Sequence, residues 1–491
     1  MTNTVKSPRR AKPSLTLVES QVLTREGGES LVDQIVRTVQ ARIDDKLLRN
    51  GARMPSIRQF AEMHGVSRFT VVEAYDRLVG RGVLESRRGS GFFVRERAAA
   101  NGNKGDGQFA GGDTPPQLDV VWLVRNMFRQ NPSQNMPGSG VLPNSWLDGD
   151  LIANGLRAIS RQNHALLLQY GTPQGFLPLR QQLQLKLAGL EIAAEPEQFV
   201  TTVGVTQALD IVARHFLRPG DTVFVDDPGW FLMFGMFVTM GAKVVGIPRL
   251  ADGPDIVKLA ELAALHKPKL YIINSVLHNP TSTSLSAPKA FQILKLAEQH
   301  DFMIVEDDIY CDMHAGSAGP AATRIAALDQ LQRVIYLGGF SKSLAATLRV
   351  GFIAASPELA IRLSDRKMLC NLTSTEIGER VVYKVLSEGH YRKHVERLRA
   401  KLDSVRDKTV RHLERIGMRI DIHAPAGMFV WADAGCDTNA LAEAGMAQGI
   451  LVAPGCLFSP SQLPSTRTRI NIGAMSDPAI ARFFERAIGQ A

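Results

Sequence analysis

Seven short runs of apolar and β-branched residues constrain this chain most. They are FVTTV (199–203), TVFVD (222–226), KVVGI (243–247), KLYII (269–273), FMIVE (302–306), RVIYL (333–337) and VGFIA (350–354). A strand with one wet face alternates apolar and polar residues, whereas these runs are apolar almost throughout. Helical patterns lie between them, such as APKAFQILKLAEQH at 287–300. The combination predicts parallel strands buried on both sides, hence an α/β sheet covered by helices on both faces. After about Leu363 the pattern turns helical. Strand candidates GMFVWAD (427–433) and RTRINIG (467–473) then predict a smaller C-terminal α+β subdomain.

The N-terminal part follows another pattern. Leu31, Ile35, Val39, Ile43 and Leu47 recur every four residues and predict one face of a helix. Ser56, with Gln59 three residues on, is a capping-box start for a second helix, which Gly65 ends. Ser67 caps a third, SRFTVVEAYDRLVGRG, with Val71, Tyr75 and Leu78 facing inward and a stop at Gly80–Gly82. The following VLESRRGSGFFV reads as a hairpin turning at Arg87-Arg88-Gly89-Ser90-Gly91. Three helices and a basic hairpin make a winged helix-turn-helix. From Ala98 to Gln117 Gly, Asn and Pro dominate, which is linker composition. The expected division is a disordered basic tail (1–24), a winged helix-turn-helix (25–97), a flexible linker (98–118) and a large domain (119–491).

Charge follows the same division. The net charge is +9, and residues 1–97 alone carry +7 of it. Nucleic acid is the natural partner of so basic a segment. A helix starting at Ser67 can set its first turn in the major groove of double-stranded DNA, where Arg68 reaches a guanine edge or phosphate. The hydroxyls of Ser67 and Thr70 suit phosphates, Arg58 falls where the preceding helix crosses the backbone, and Arg87 and Arg88 can reach the adjacent groove. The four cysteines, Cys311, Cys370, Cys436 and Cys456, have no metal-ligand spacing, which predicts reduced thiols in a cytoplasmic protein and no metal site. No signal peptide is visible. The most apolar stretch, residues 230–242, is too short for a membrane span of roughly 20 residues and predicts a buried helix.

Lys342 lies in GGFSKSLAATLRVGF, with Arg349 seven residues later. A lysine amine becomes useful beside an aldehyde cofactor, with which it forms a Schiff base. Pyridoxal phosphate needs an acid for its ring nitrogen, donors for its phosphate, a flat partner for its ring and a donor for its phenolic oxygen. Candidates follow in chain order. TTVGVTQAL offers Val205 and Thr206 at a helix N-terminus, DDPGW offers Trp230, HNPTSTSL offers Asn279, and IVEDDIYCD offers Asp307 and Tyr310. Each lies at a strand's C-terminal end, where α/β sheets bind ligands.

Two resemblances rest on these motifs. The stretch from Leu31 to Val94, above all MPSIRQFAEMHGVSRFTV, resembles the GntR family of bacterial repressors, in which the residues matching Arg58, Ser67, Arg68, Thr70 and Gly89 contact DNA. Phe69 and Val72 stand where that family often has polar residues. Residues 119 to 491 resemble the class I aminotransferases of PLP fold type I. That resemblance implies Lys342 as the internal aldimine, Asp307 on the pyridinium nitrogen, Asn279 and Tyr310 on the phenolic oxygen, and Trp230 stacked on the ring. It assigns the phosphate to Val205, Thr206, Ser341 and Arg349. Tyr170, in QYGTPQG, would reach the cofactor of a partner subunit, and Arg469 would bind a substrate carboxylate. Gly339 replaces a Ser or Thr phosphate ligand of many members, implying a slightly looser grip, and Ser282 replaces a glycine, implying an altered loop near the substrate. Together the parts resemble the MocR subfamily of transcriptional regulators. This implies a homodimer whose aminotransferase-like domain senses PLP, or an amino or carboxylate compound, and alters operator binding. A working aminotransferase with a DNA-binding module is the alternative, and a slow transamination half-reaction fits either.

Overall fold

A computed structural model describes residues 29–45, 47–87, 89–95, 120–127, 136–161, 168–314 and 322–488. The expected tail and linker, and Arg88, lie outside these described residues. The chain divides into two compact units, Met1–Thr114 and Pro115–Ala491.

In the first unit α1 (Leu31–Asp44), α2 (Ile57–His64) and α3 (Arg68–Gly80) precede an antiparallel hairpin of β1 (Leu84–Arg87) and β2 (Gly91–Val94). Local capping sets the helix boundaries. Ser56 and Gln59 form a reciprocal capping box on α2, and Gly65, at φ 62°, ends it in the left-handed conformation that glycine adopts without a Cβ penalty. Ser67 caps α3, its side chain accepting from the Thr70 N–H. Tyr75 centres the core. Its ring packs edge-on against Phe60 and Phe92, and its hydroxyl donates to the Pro55 carbonyl at 3.1 Å. One expectation fails here. Leu47 is 50% exposed, and Leu48 is buried instead. The helix stops at Asp44, so helical spacing no longer decides which residue faces inward.

The second unit is built on an eight-stranded sheet in the order β3-β10-β9-β8-β7-β4-β5-β6. The strands are β3 (Phe199–Thr202), β4 (Thr222–Asp227), β5 (Lys243–Leu250), β6 (Gly253–Pro254), β7 (Leu270–Ile273), β8 (Met303–Asp307), β9 (Val334–Gly339) and β10 (Gly351–Ala354). Both faces are covered. Val223 and Val225 of β4 belong to one apolar core and Phe224 to the other, and Ile335 and Tyr336 of β9 divide likewise. The expected all-parallel sheet needs correction, because VGFIA forms β10, antiparallel to both β3 and β9. A parallel return usually needs a crossover helix, whereas the link 340–350 between β9 and β10 holds only the single helical turn Ala346–Leu348. Residues 230–242 contain a helix, Phe231–Thr239, with Phe234 and Phe237 buried and Val238 61% exposed. After helices Pro357–Asn371, Glu376–Ser387 and His390–Arg415 come β11 (Phe429–Asp433), β12 (Ala453–Pro454) and β13 (Arg467–Asn471), a small sheet in the order β11-β13-β12.

Candidate functional site

One pocket of the second unit is lined by Val205, Thr206, Trp230, Asn279, Asp307, Tyr310, Ser341, Lys342 and Arg349, with Asn274 and Ile309. Strand direction explains the convergence. β4, β7, β8 and β9 are mutually parallel, so the loops after them all emerge at one edge of the sheet. β3 feeds helix Gly204–Phe216 at the same edge. That helix has no side-chain N-cap, so its first N–H groups remain available as donors. Arg349 folds back over it. Its Nη2 donates to the Val203 carbonyl at 3.1 Å and its Nη1 to Ser341 Oγ at 3.4 Å. Gly204 suits this approach, because it sits at φ 77°, where side chains are strained, and a Cβ there would also lie 2.7 Å from Arg349 Nη2. The result is a cluster of N–H, hydroxyl and guanidinium donors, which is an anion cradle.

At the other end of the pocket, Lys342 Nζ donates to the Gly140 carbonyl at 2.8 Å. Burial, helped by the cations of Arg469 and Arg349 and opposed by Asp307, pulls its amine down to about 8. Burial pushes the Asp307 carboxyl up to about 7, against the Ile309 N–H that Oδ1 accepts at 3.1 Å. Asn279 Nδ2 donates to the Tyr310 hydroxyl at 3.3 Å, while its Oδ1 accepts from Arg469 Nη1 at 2.8 Å.

Arg469 is 2% exposed on β13. Its guanidinium carbon lies 4.4 Å from the Phe429 ring centroid, and its Nη2 donates to the Gly138 carbonyl at 2.6 Å. No carboxylate among the described residues forms an ion pair with it, and its Nε has no hydrogen-bond partner. Burial pulls its guanidinium down to about 10. A Cβ at Gly140 would lie 3.6 Å from Lys342 Nζ and 3.8 Å from Arg469 Nη2, so the amine and the guanidinium flank this glycine.

Tyr170 does not line this pocket; it stands 81% exposed on the segment before helix Leu177–Ala188. Gly339 has a packing reason, because a Cβ there would lie 2.9 Å from Ile309 Cδ1 and 3.2 Å from the Val350 carbonyl oxygen. Ser282 is buried at φ 58°, and its Oγ donates to the Phe429 carbonyl at 3.0 Å, fastening its loop to β11.

Four contributors were not foreseen. Asn274 Nδ2 donates to the Asp307 carbonyl at 2.5 Å, Ile309 acts through its N–H, and Gly138 and Gly140 act through carbonyls. The signal for Gly138 was its glycine, since a Cβ there would lie 2.5 Å from the Ala453 nitrogen.

The first unit presents a different surface. Arg68 is exposed at the first position of α3, and Ser67 and Thr70 flank it with their hydroxyl oxygens 2.7 Å apart. Arg58 is exposed on α2 and pairs with Glu62 at 2.9 Å. Arg87 pairs with Glu85 and lies 4.5 Å over the Phe93 ring. Gly89 occupies the hairpin turn at φ 75°. Phe69, on the first turn of α3, is 76% exposed. Among the described residues no helix is long and apolar enough to cross a membrane, and no cluster of metal-ligating side chains occurs.

Sheet order, pocket and small subdomain define an aminotransferase-like α/β protein joined to a winged helix-turn-helix. The chain belongs to the class I and II aminotransferases, whose family model matches residues 139–486, and carries at 31–94 the domain of the gntR family of bacterial regulatory proteins; it is a regulator of the MocR type. It is 28% identical to the uncharacterized HTH-type transcriptional regulator YdfD of Bacillus subtilis, over 87% of this chain and 89% of that one. It is 28% identical to the probable rhizopine catabolism regulatory protein MocR of Rhizobium meliloti, over 77% and 76%. Among solved structures, kynurenine aminotransferase of Pyrococcus horikoshii, in complex with PMP, superposes with a TM-score of 0.68 at 26% identity, covering 75% of this chain and 93% of that one.

Proposed function

We propose that this protein is a DNA-binding regulator whose large unit holds pyridoxal phosphate and responds to it, or to an amino compound carrying a carboxylate. The observation that carries this reading is Arg469, a buried guanidinium with no carboxylate partner among the described residues, held beside Lys342 in a chain that also bears a gntR-type module. A buried charge without a counter-ion is costly, and a ligand carboxylate would relieve that cost.

The residues fit the cofactor by their donor chemistry. The uncapped start of helix Gly204–Phe216, Thr206, Ser341 and Arg349 would take its phosphate. Trp230 would cover its ring, Asp307 would meet its ring nitrogen, and Asn279 and Tyr310 its phenolic oxygen. Pyridoxal phosphate supplies an aldehyde that amines capture and a ring that stabilises negative charge. Lys342 contributes an amine that burial keeps substantially neutral near pH 8, the form that can attack a carbonyl. Arg469 would orient a carboxylate through its unused donors. On the DNA side, Arg68 would reach a guanine edge or phosphate, Arg58, Ser67, Thr70 and Gly89 would contact the backbone, and Arg87 and Arg88 would reach the adjacent groove. Tyr170 would serve a partner's pocket in a homodimer.

The test is binding of purified protein to DNA upstream of its own gene, with and without pyridoxal phosphate and candidate amino acids. Affinity that changes with the small molecule supports the reading; absence of binding to any neighbouring promoter removes it. The same Lys342 and Arg469 favour a second reading, a working aminotransferase tethered to DNA. Sustained turnover of an amino-acid and keto-acid pair, rather than a single half-reaction, would establish that one.

A further inference from the structure

Tyr170 is 81% exposed, yet buried side chains hold the residues that follow it. The Phe176 N–H donates to Glu379 Oε2 at 2.7 Å, and Lys367 Nζ donates to the Pro173 carbonyl at 2.7 Å. Within the segment, Thr172 Oγ1 donates to the Gly175 carbonyl at 2.7 Å. Gly171 packs so closely that a Cβ there would lie 2.8 Å from Glu376 Oε2. Glu379 is 2% and Lys367 0% exposed, and burying two ionisable side chains against backbone groups is a costly way to hold a surface loop that has no function.

Glu379 also holds the strand that feeds the anion cradle. Its Oε1 accepts from Thr201 Oγ1 at 2.6 Å, on the strand that runs into Gly204 and Thr206. One residue earlier, a Cβ at Gly378 would lie 2.8 Å from the carbonyl oxygen of Leu348, so helix Glu376–Ser387 also rests on the segment leading to Arg349. One buried carboxylate therefore joins the Tyr170 segment to the strand that feeds this chain's own cradle. Helix Pro357–Asn371, tied to the segment through Lys367, carries Leu369 83% exposed near its end, and Leu168 beside Tyr170 is 85% exposed. Apolar side chains this exposed suit coverage by a second copy of the chain.

We propose that Glu379 is a positioning residue that holds Tyr170 for the pocket of a partner subunit, so that each chain helps its neighbour retain pyridoxal phosphate. This rests on the pyridoxal-phosphate reading above. Glu379 touches no ligand itself; it acts through the backbone of the segment and through Thr201.

Mixed dimers test it. One chain carries Lys342→Ala, so that only the other can hold pyridoxal covalently, and affinity is read by titrating pyridoxal phosphate against the visible absorption of the lysine-bound cofactor. Adding Glu379→Gln to the Lys342→Ala chain should weaken binding in the other chain roughly tenfold or more, the scale of a lost charge-assisted hydrogen bond. Tyr170→Phe in that same chain should weaken it comparably, and the two changes together should add little beyond either alone. Lys367→Met in the same chain should act in the same direction, which keeps the idea testable if Glu379→Gln folds poorly. An unchanged affinity overturns the proposal, as does a loss seen only when Glu379→Gln shares a chain with the intact Lys342. Absence of any such absorption in the control dimer, bearing Lys342→Ala alone in one chain, would instead remove the pyridoxal-phosphate reading, and this inference with it.

Discussion

The two units handle charge in opposite ways. In the winged helix-turn-helix the candidate functional arginines are exposed, as Arg58 and Arg68 are, and Arg58 pairs with its own helical neighbour. In the large unit Asp307 and Arg469 are buried and Lys342 is half-buried, while Arg349 on the phosphate side of the pocket stays exposed. Burial pulls the Lys342 amine down to about 8 and pushes the Asp307 carboxyl up to about 7, and Arg469 is shut away with aromatic rings around it. Water screens exposed charges, so the first surface suits reversible contact with a polyanion and should respond to salt. Burial strengthens every interaction and moves titrations toward neutral pH, so the second site suits one small ligand and should respond to pH. The same residue types thus serve recognition on a surface and chemistry in a pocket, and burial makes the difference.

Four experiments probe this contrast, beginning with the largest expected effect. Lys342→Ala should abolish the visible absorption of bound pyridoxal completely while α1–α3 keep their fold, as judged by retained nonspecific DNA binding; loss of both would deny the units their independence. Arg68→Ala should weaken specific DNA binding by about 1–3 kcal/mol, some ten- to a hundredfold, and leave that absorption intact. A drop in cofactor binding in this variant would break the contrast from the other side.

The third concerns pH. Capture of the aldehyde by Lys342 requires the neutral amine, so its rate should rise with pH to a plateau, with its midpoint at about 8 rather than at the ordinary lysine value of 10.5. The Arg469 cation helps to lower that value. Arg469→Leu removes it and should move the midpoint to higher pH; stopped-flow absorbance reads the shift, and a downward or absent shift would deny the coupling. The smallest effect is expected for Arg87→Ala. Losing one exposed phosphate contact should reduce the slope of log affinity against log salt by about one, with no change in sequence preference.

Much of this organisation was legible in the sequence. The capping box at Ser56 and Gln59 and the left-handed Gly65 follow from chemistry within a few residues. The seven apolar runs all form strands, as short β-branched runs without a wet face favour inside a covered sheet, although KVVGI in β5 is only partly buried. What failed depended on where the chain went next. Leu47 had the spacing of a core residue, but the helix had already ended. VGFIA had parallel-strand composition, but composition does not encode direction, and the link from β9 carries no crossover helix to bring the chain round for a parallel return. The packing around Gly339 was likewise hidden, since Ile309 and the Val350 carbonyl that crowd a Cβ there come from other segments. Asn274, Ile309, Gly138 and Gly140 were missed because three of them act through backbone atoms and Asn274 acts on one.

By itself, then, the sequence determined the local elements, the two-part layout and the cofactor-type motifs, because helix and strand periods and capping are set by interactions over a few residues. Only the tertiary structure decided which of those motifs meet. Arg469 reaches a carbonyl 331 positions earlier, and Glu379 an N–H 203 positions earlier. Contacts at such separations follow from strand order and from the space left between packed elements, and no local pattern in the chain records them.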